Sequence, residues 1–179
     1  MLQFWLRWIF AFSLTLTALT PSFAASTAKE ALKDVTAAAQ KWQPDAVLTH
    51  ISTLMGRGDG KADQWLYTFY SPKAKKSAIV TARDKTVANV EADVRNTSTD
   101  PLGGDYVDSD KAVEAATKAG LKLDKGAKGL GMGLVVGNQA VGKPQLFWSV
   151  TIMSGDGMSS VLMNGKDAAF IRRNDHKFK

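Results

Sequence analysis

The sequence predicts an α+β fold of two helix-plus-antiparallel-sheet repeats, with the helices packed on one face of the sheet or sheets. Three observations carry this expectation. An apolar stripe at helical spacing occurs twice, over 28–42 and 112–119. Each is followed by runs that alternate like half-buried strands. The two halves also share text: Trp65, Thr68 and Ser71 match Trp148, Thr151 and Ser154 at one offset of 83 positions (148 − 65). On this reading "QWLYTFYSP" and "FWSVTIMSG" are one strand written twice.

The elements follow in order. Thr27 and Glu30 have capping-box spacing, so each can satisfy an orphan N–H at a helix start. Ala28, Ala31, Leu32, Val35, Ala38, Ala39 and Trp42 then line one helix face, and Pro44 stops the helix. "DAVLTHISTLM" alternates and is β-branched, which predicts a strand, and "GRGDGKAD" is a turn. The aromatic strand, the hairpin loop "SPKAKKS" and the strand "AIVTAR" come next, and "DKTVANVEADV" continues the sheet. Residues 96–107, with Pro101 and two glycines, read as a linker between repeats at 25–95 and 108–173. Asp108 or Ser109 caps a second helix, which Gly120 ends. The glycine-rich stretch 126–143 reads as a mobile loop or one that folds over a partner, with "MGLVV" as a short strand inside it. "QLFWSVTIM" is a strand, "SGDGM" a turn, and "SSVLMNGKDAAFIRR" a last strand or pair of strands before a basic tail at 174–179.

In the shared register no gap is needed between Trp65 and Asp84, so Val80 meets Met163 and Asp84 meets Asp167. Two copies are too few for a solenoid. The expectation is two three- or four-stranded sheets, each with its helix, either separate or merged into one longer sheet.

A capped alanine-rich helix, a strand, "W-x-Y-x-F-x-S-P", a hairpin and a closing turn such as "NGKDAAFI" together resemble the PepSY or PepSY-like domain in tandem. The resemblance covers most of residues 27–173. Gly165 stands ahead of Asp167 rather than after it, and "ARDKTVANV" has no glycine, which departs from the family's closing turn. The family implies secreted, non-catalytic modules that bind or inhibit proteins, often proteases or envelope hydrolases. Beta-lactamase-inhibitory proteins have a comparable tandem plan, a likeness of fold that does not fix function.

The first 24 residues carry Arg7, an apolar run from Trp8 to about Leu19, Pro21 and then Ser22-Phe23-Ala24. That pattern predicts a secretory signal cleaved after Ala24. An uncleaved membrane anchor is the alternative, and the run is short of the roughly 20 residues a span needs. The whole chain carries a net charge of +6, and loss of one Arg with residues 1–24 leaves +5. Such a balance favours weak contact with anionic surfaces or acidic proteins. There is no cysteine, so disulfides, thiol catalysis and thiolate metal sites are excluded. A disulfide-free secreted chain points to the bacterial periplasm.

No catalytic constellation stands out. The two histidines are His50, on a predicted strand, and His176, in the basic tail. No carboxylates cluster around His50 with ligand spacing, so it reads as structural. No G-x-S-x-G occurs. "GAKGLGMG" lacks the Lys-Ser or Lys-Thr of a phosphate loop, and "GDGKADQW" lacks the terminal Glu of a calcium loop. No cofactor, metal or nucleic acid is therefore expected, and the chain is expected not to be an enzyme.

Alternation places Trp65, Tyr67, Phe69 and Trp148, Val150, Ile152 on core faces. The opposite faces hold hydroxyls among large apolar groups, which fits either a recognition surface or a face covered by a second layer such as the glycine-rich loop. The candidate partner-binding residues are Leu66, Tyr70, Phe147, Met153, Lys75 and Lys76. The expected function is a periplasmic protein-binding module: an inhibitor, immunity protein or regulator of an envelope hydrolase. Binding of a small ligand or an anionic envelope surface is the alternative.

Overall fold

The computed structural model describes residues 24–95, 98–123, 128–138, 143–155 and 157–178. The first half runs α1 (Leu32–Trp42), β1 (Val47–Arg57), β2 (Gln64–Ser71), β3 (Lys76–Arg83) and β4 (Thr86–Val94). The second runs α2 (Ser109–Lys118), β5 (Lys128–Gly137), β6 (Gln145–Ser154), β7 (Gly157–Asn164) and β8 (Phe170–Lys177). All of these strands lie in one eight-stranded sheet, ordered β4-β3-β2-β1-β5-β6-β7-β8, with every neighbour antiparallel.

The fold is therefore mostly one antiparallel sheet with two short helices, and the expected pair of helix-plus-sheet repeats is corrected. The physical reason is edge closure. In separate sheets β1 and β5 would each leave a row of unpaired backbone groups. Here they pair with each other, His50 opposite Val135 and Thr53 opposite Met132.

Both helices cover the same face, α1 over β3 and β4, α2 over β6 and β7. Beneath them Trp65, Tyr67, Phe69, Val80, Leu130, Leu134, Trp148, Val150 and Met163 are buried in one continuous core. The two tryptophans are anchored alike. The Trp65 indole N–H donates to the Ser26 carbonyl at 2.8 Å, and that of Trp148 to the Val107 carbonyl at 3.0 Å. Each acceptor lies just ahead of a helix. The helix entrances are tied to each other as well: Ala28 N–H donates to Ser109 Oγ at 3.0 Å and Lys29 N–H to Asp108 Oδ1 at 3.1 Å. Gly60 packs there too. Its φ is +79°, and a Cβ would stand 2.4 Å from the Asp110 Cα, so only glycine fits.

Several local expectations change. Glu30 does accept from the Thr27 N–H, at 2.8 Å, but this closes a turn ahead of α1, whose own cap residue Ala31 has no side-chain bond. Asp108 caps α2 by accepting from Ser109 N–H. The stretch 126–143 is not a covering loop. Residues 128–137 are β5, a central strand, while 124–127 and 139–142 lie outside the described residues. The basic tail is instead the end of β8, which reaches Lys177. The predicted signal, 1–24, lies outside the described residues except for Ala24. Among the described residues no helix is long and apolar enough to cross a membrane.

The gapless repeat is also corrected. Trp65 pairs with Ala82, and Trp148 with Met163. The first strands correspond at 83 positions (148 − 65), the second at 81 (163 − 82). The first hairpin needs residues 72–75 between Ser71 and Lys76, whereas the second pairs Ser154 with Gly157.

Candidate functional site

The face away from the helices is open. Its centre is the face of β5 on which glycines alternate: Leu130, Met132 and Leu134 are buried in the core, and Gly129, Gly131 and Gly133 line a trough on the other side. His50, Ser52 and Leu54 of β1 wall it on one side, and Ser149, Thr151 and Met153 of β6 on the other. The cavity holds about 480 Å³. From Gly129 to Gly133 it runs roughly 13 Å, at about 3.3 Å per strand residue.

Two of these glycines have room for a side chain. A Cβ at Gly131 would meet Thr151 Cβ at 3.6 Å, and one at Gly133 would meet His50 Nε2 at 3.5 Å, both ordinary contacts. By contrast a Cβ at Gly157 would stand 2.4 Å from the His176 carbonyl oxygen, and one at Gly165 2.5 Å from Leu146 Cγ. Gly129 takes φ +89°. Glycine in a strand interior weakens it and marks a bulge or a place where another molecule or backbone comes close. The β1–β5 register shifts between Thr53 and Gly56, across from Gly131, whereas His50, Ser52 and Thr53 pair in regular register alongside Gly133.

A second cavity of about 470 Å³ adjoins the first, sharing His50, Gly133 and Ser149. Phe147, Leu162, Asn174 and Arg172 line it, with Ser98 and Asp100 from the connection before α2. Burial lowers the pKa of His50, which favours the neutral imidazole between the two cavities. Exposed Leu54 and Met153 mark the far end of the trough, at 78% and 67% exposure.

The six residues singled out from the sequence do not form one patch. Leu66 and Tyr70 are half-buried on β2, and Lys75 and Lys76 are exposed at its hairpin. Asp45 holds that hairpin by accepting from Ser71 Oγ at 2.8 Å and Lys73 N–H at 2.9 Å; the Lys73 bond is the main cause of its lowered pKa. Lys76 pairs with Asp93 at 2.7 Å. Phe147 is only 5% exposed, so it walls the second cavity instead of projecting as an anchor. Met153 is exposed, but at the other end of the sheet from Tyr70. Tyr70 pairs near the start of β1, opposite Val47, whereas Met153 joins Leu54 at the far end of the trough. The trough runs between these two groups, because β1 and β5 separate β2 from β6.

Sequence reasoning missed Gly131, Gly133, Ser52, Leu54 and Met158. The usable signal was the period-two spacing of glycine in "KGLGMGL". Among the described residues no group of three His, Cys, Asp or Glu side chains could hold a metal ion.

In fold, the chain is similar to a "putative lipoprotein" from Clostridium difficile 630, with a TM-score of 0.55 at 13% identity, over 81% of this chain and 92% of that one. No protein-family model matches the chain, and no curated protein does.

Proposed function

We propose that the chain is a non-enzymatic binding module of the bacterial cell envelope that receives a loop or extended segment of another polypeptide on the open face of its sheet. The observation that carries this is the trough over Gly131 and Gly133, side chains absent where the fold would accept them. A bulky apolar side chain fits over bare glycine backbone, with Leu54 and Met153 beside it and Ser52, Ser149 and Thr151 offering hydroxyls to a main chain. Leu66 and Tyr70 extend the surface across β1. The envelope, and the periplasm within it, are supported by the signal-like first 24 residues, the absence of cysteine, and the likeness to the lipoprotein described above. Inhibition, immunity and regulation of an envelope hydrolase are the forms of activity that the resemblance to PepSY-like modules implies.

Comparative capture tests this reading. The native chain and a Gly131→Val/Gly133→Val variant are presented in parallel to envelope extracts. A polypeptide held in fixed ratio by the native chain and lost from the variant, which still melts as a folded protein, is the expected result. Equal recovery by both removes the trough, and no recovered polypeptide removes the reading.

One observation favours binding of a small anionic ligand as a second reading. Arg172 lines the adjoining cavity and has no ion pair among the described residues. Salt-sensitive binding of inorganic phosphate, abolished in Arg172→Gln, would support it; phosphate binding unaltered by that change would not.

A further inference from the structure

We propose that Met153, Met158 and His176 form a binding site for Cu(I). The three residues are far apart in the chain and adjacent in the sheet. Met153 stands directly opposite Met158 across the β6–β7 hairpin, and Met158 stands directly opposite His176 on β8. Directly opposed residues carry Cβ atoms about 4.5–5.5 Å apart. A methionine has three rotatable bonds, so two such side chains and an imidazole can converge on one ion.

All three point to the open face. Met153 and Met158 both line the trough. The next pair along β7 and β8 fixes the alternation: Ser159 Oγ donates to Asp175 Oδ1 at 2.6 Å on the other side of the sheet. His176 therefore shares a face with Met158. It is exposed, as is Met153, and the Phe178 ring stands edge-on to it with centroids 6.0 Å apart.

The donor set selects the metal. Two thioethers and an imidazole are soft-to-intermediate ligands, which suit Cu(I) and offer little to Mg²⁺, Ca²⁺ or other oxygen-seeking ions. The nearest carboxylate along β8, Asp175, is turned away and already engaged by Ser159 and Arg173. In a chain without cysteine, thioethers are the only sulfur ligands available. The site also accounts for a methionine left 67% exposed at a hairpin end. This inference does not rest on the polypeptide-binding reading.

The full chain is titrated without oxygen against the coloured Cu(I)–bicinchoninate complex. One equivalent of Cu(I) should be withdrawn. Met153→Leu, Met158→Leu and His176→Gln should each weaken binding at least about tenfold, the lower limit for losing even an outer-shell group at a metal site. His176 does not line the trough, so loss of copper with retained polypeptide binding in His176→Gln would separate the two functions. In a second measurement on the native chain, Ag(I) should shift the methyl resonances of Met153 and Met158 and leave those of Met55 and Met163 in place. No withdrawal of Cu(I), unchanged affinity in the Met153→Leu/Met158→Leu variant, or unmoved Met153 and Met158 methyls would overturn the proposal.

Discussion

If Gly131 and Gly133 serve a partner and not the fold, replacing both with alanine should stabilise the free protein. The contacts an added Cβ would make, 3.6 Å to Thr151 and 3.5 Å to His50, are ordinary van der Waals distances. Neither residue has a positive φ, so no backbone strain follows. Removing the excess freedom of a strand glycine is worth about 0.5–1 kcal/mol at each position, or about 1–2 kcal/mol for the pair. For a protein of this size that raises Tm by roughly 2–8 °C. Circular dichroism melting reads it directly, and guanidinium unfolding should show a higher midpoint with an unchanged slope. Gly157→Ala is the contrast. Its Cβ would press on the His176 carbonyl at 2.4 Å, so this variant should lose stability. A lower Tm for the Gly131/Gly133 pair would refute the reasoning, because the fold itself would then require those glycines.

Three further outcomes are expected. Trp65→Ala and Trp148→Ala each remove a fully buried ring and should cost about 3–5 kcal/mol, read as a large fall in denaturant midpoint; melting like the native chain would show the core face to be misassigned. Gly60→Ala should destabilise through both its +79° φ and the close Asp110 backbone, seen as a lowered Tm, and an unaltered Tm would contradict that packing. His50 has its pKa lowered below the usual 6.5, so the unfolded chain takes up this proton first as pH falls. Its contribution is complete above about pH 6.5 and is lost as pH drops toward the folded-state value. Urea midpoints should therefore fall between about pH 7.5 and pH 5.5 more steeply in the native chain than in His50→Gln; parallel slopes would exclude His50 as the cause.

Much of the fold was legible, and the misses have identifiable causes. The alternation that put Trp65, Tyr67, Phe69 and Trp148 inside is a local property of each strand. The joining of β1 to β5 is not local. It depends on two edges meeting across the whole chain, and nothing in either strand announces its neighbour. The two-position difference between the hairpins was hidden for a related reason. A slip of two keeps every side chain on its face, so the apolar pattern matched without a gap. Only "MGLVV" within β5 reads as strand from the sequence, because the alternating glycines around it resemble turn signals. Its pairing to β1 and β6 on both sides supplies the stability that its own propensity lacks. That same pairing turns the glycines into a trough. The Met153, Met158 and His176 row emerges only from register across three strands, which no spacing in the sequence encodes.

The most direct measurement of the central claim is site-specific photo-crosslinking in cells that produce the protein. A photoreactive residue at Thr151, on the wall of the trough, is compared with one at Lys33, exposed on α1 over the opposite face. The account predicts a discrete adduct with another polypeptide from position 151 and none from position 33. The same adduct from both positions, or none from 151, would contradict it.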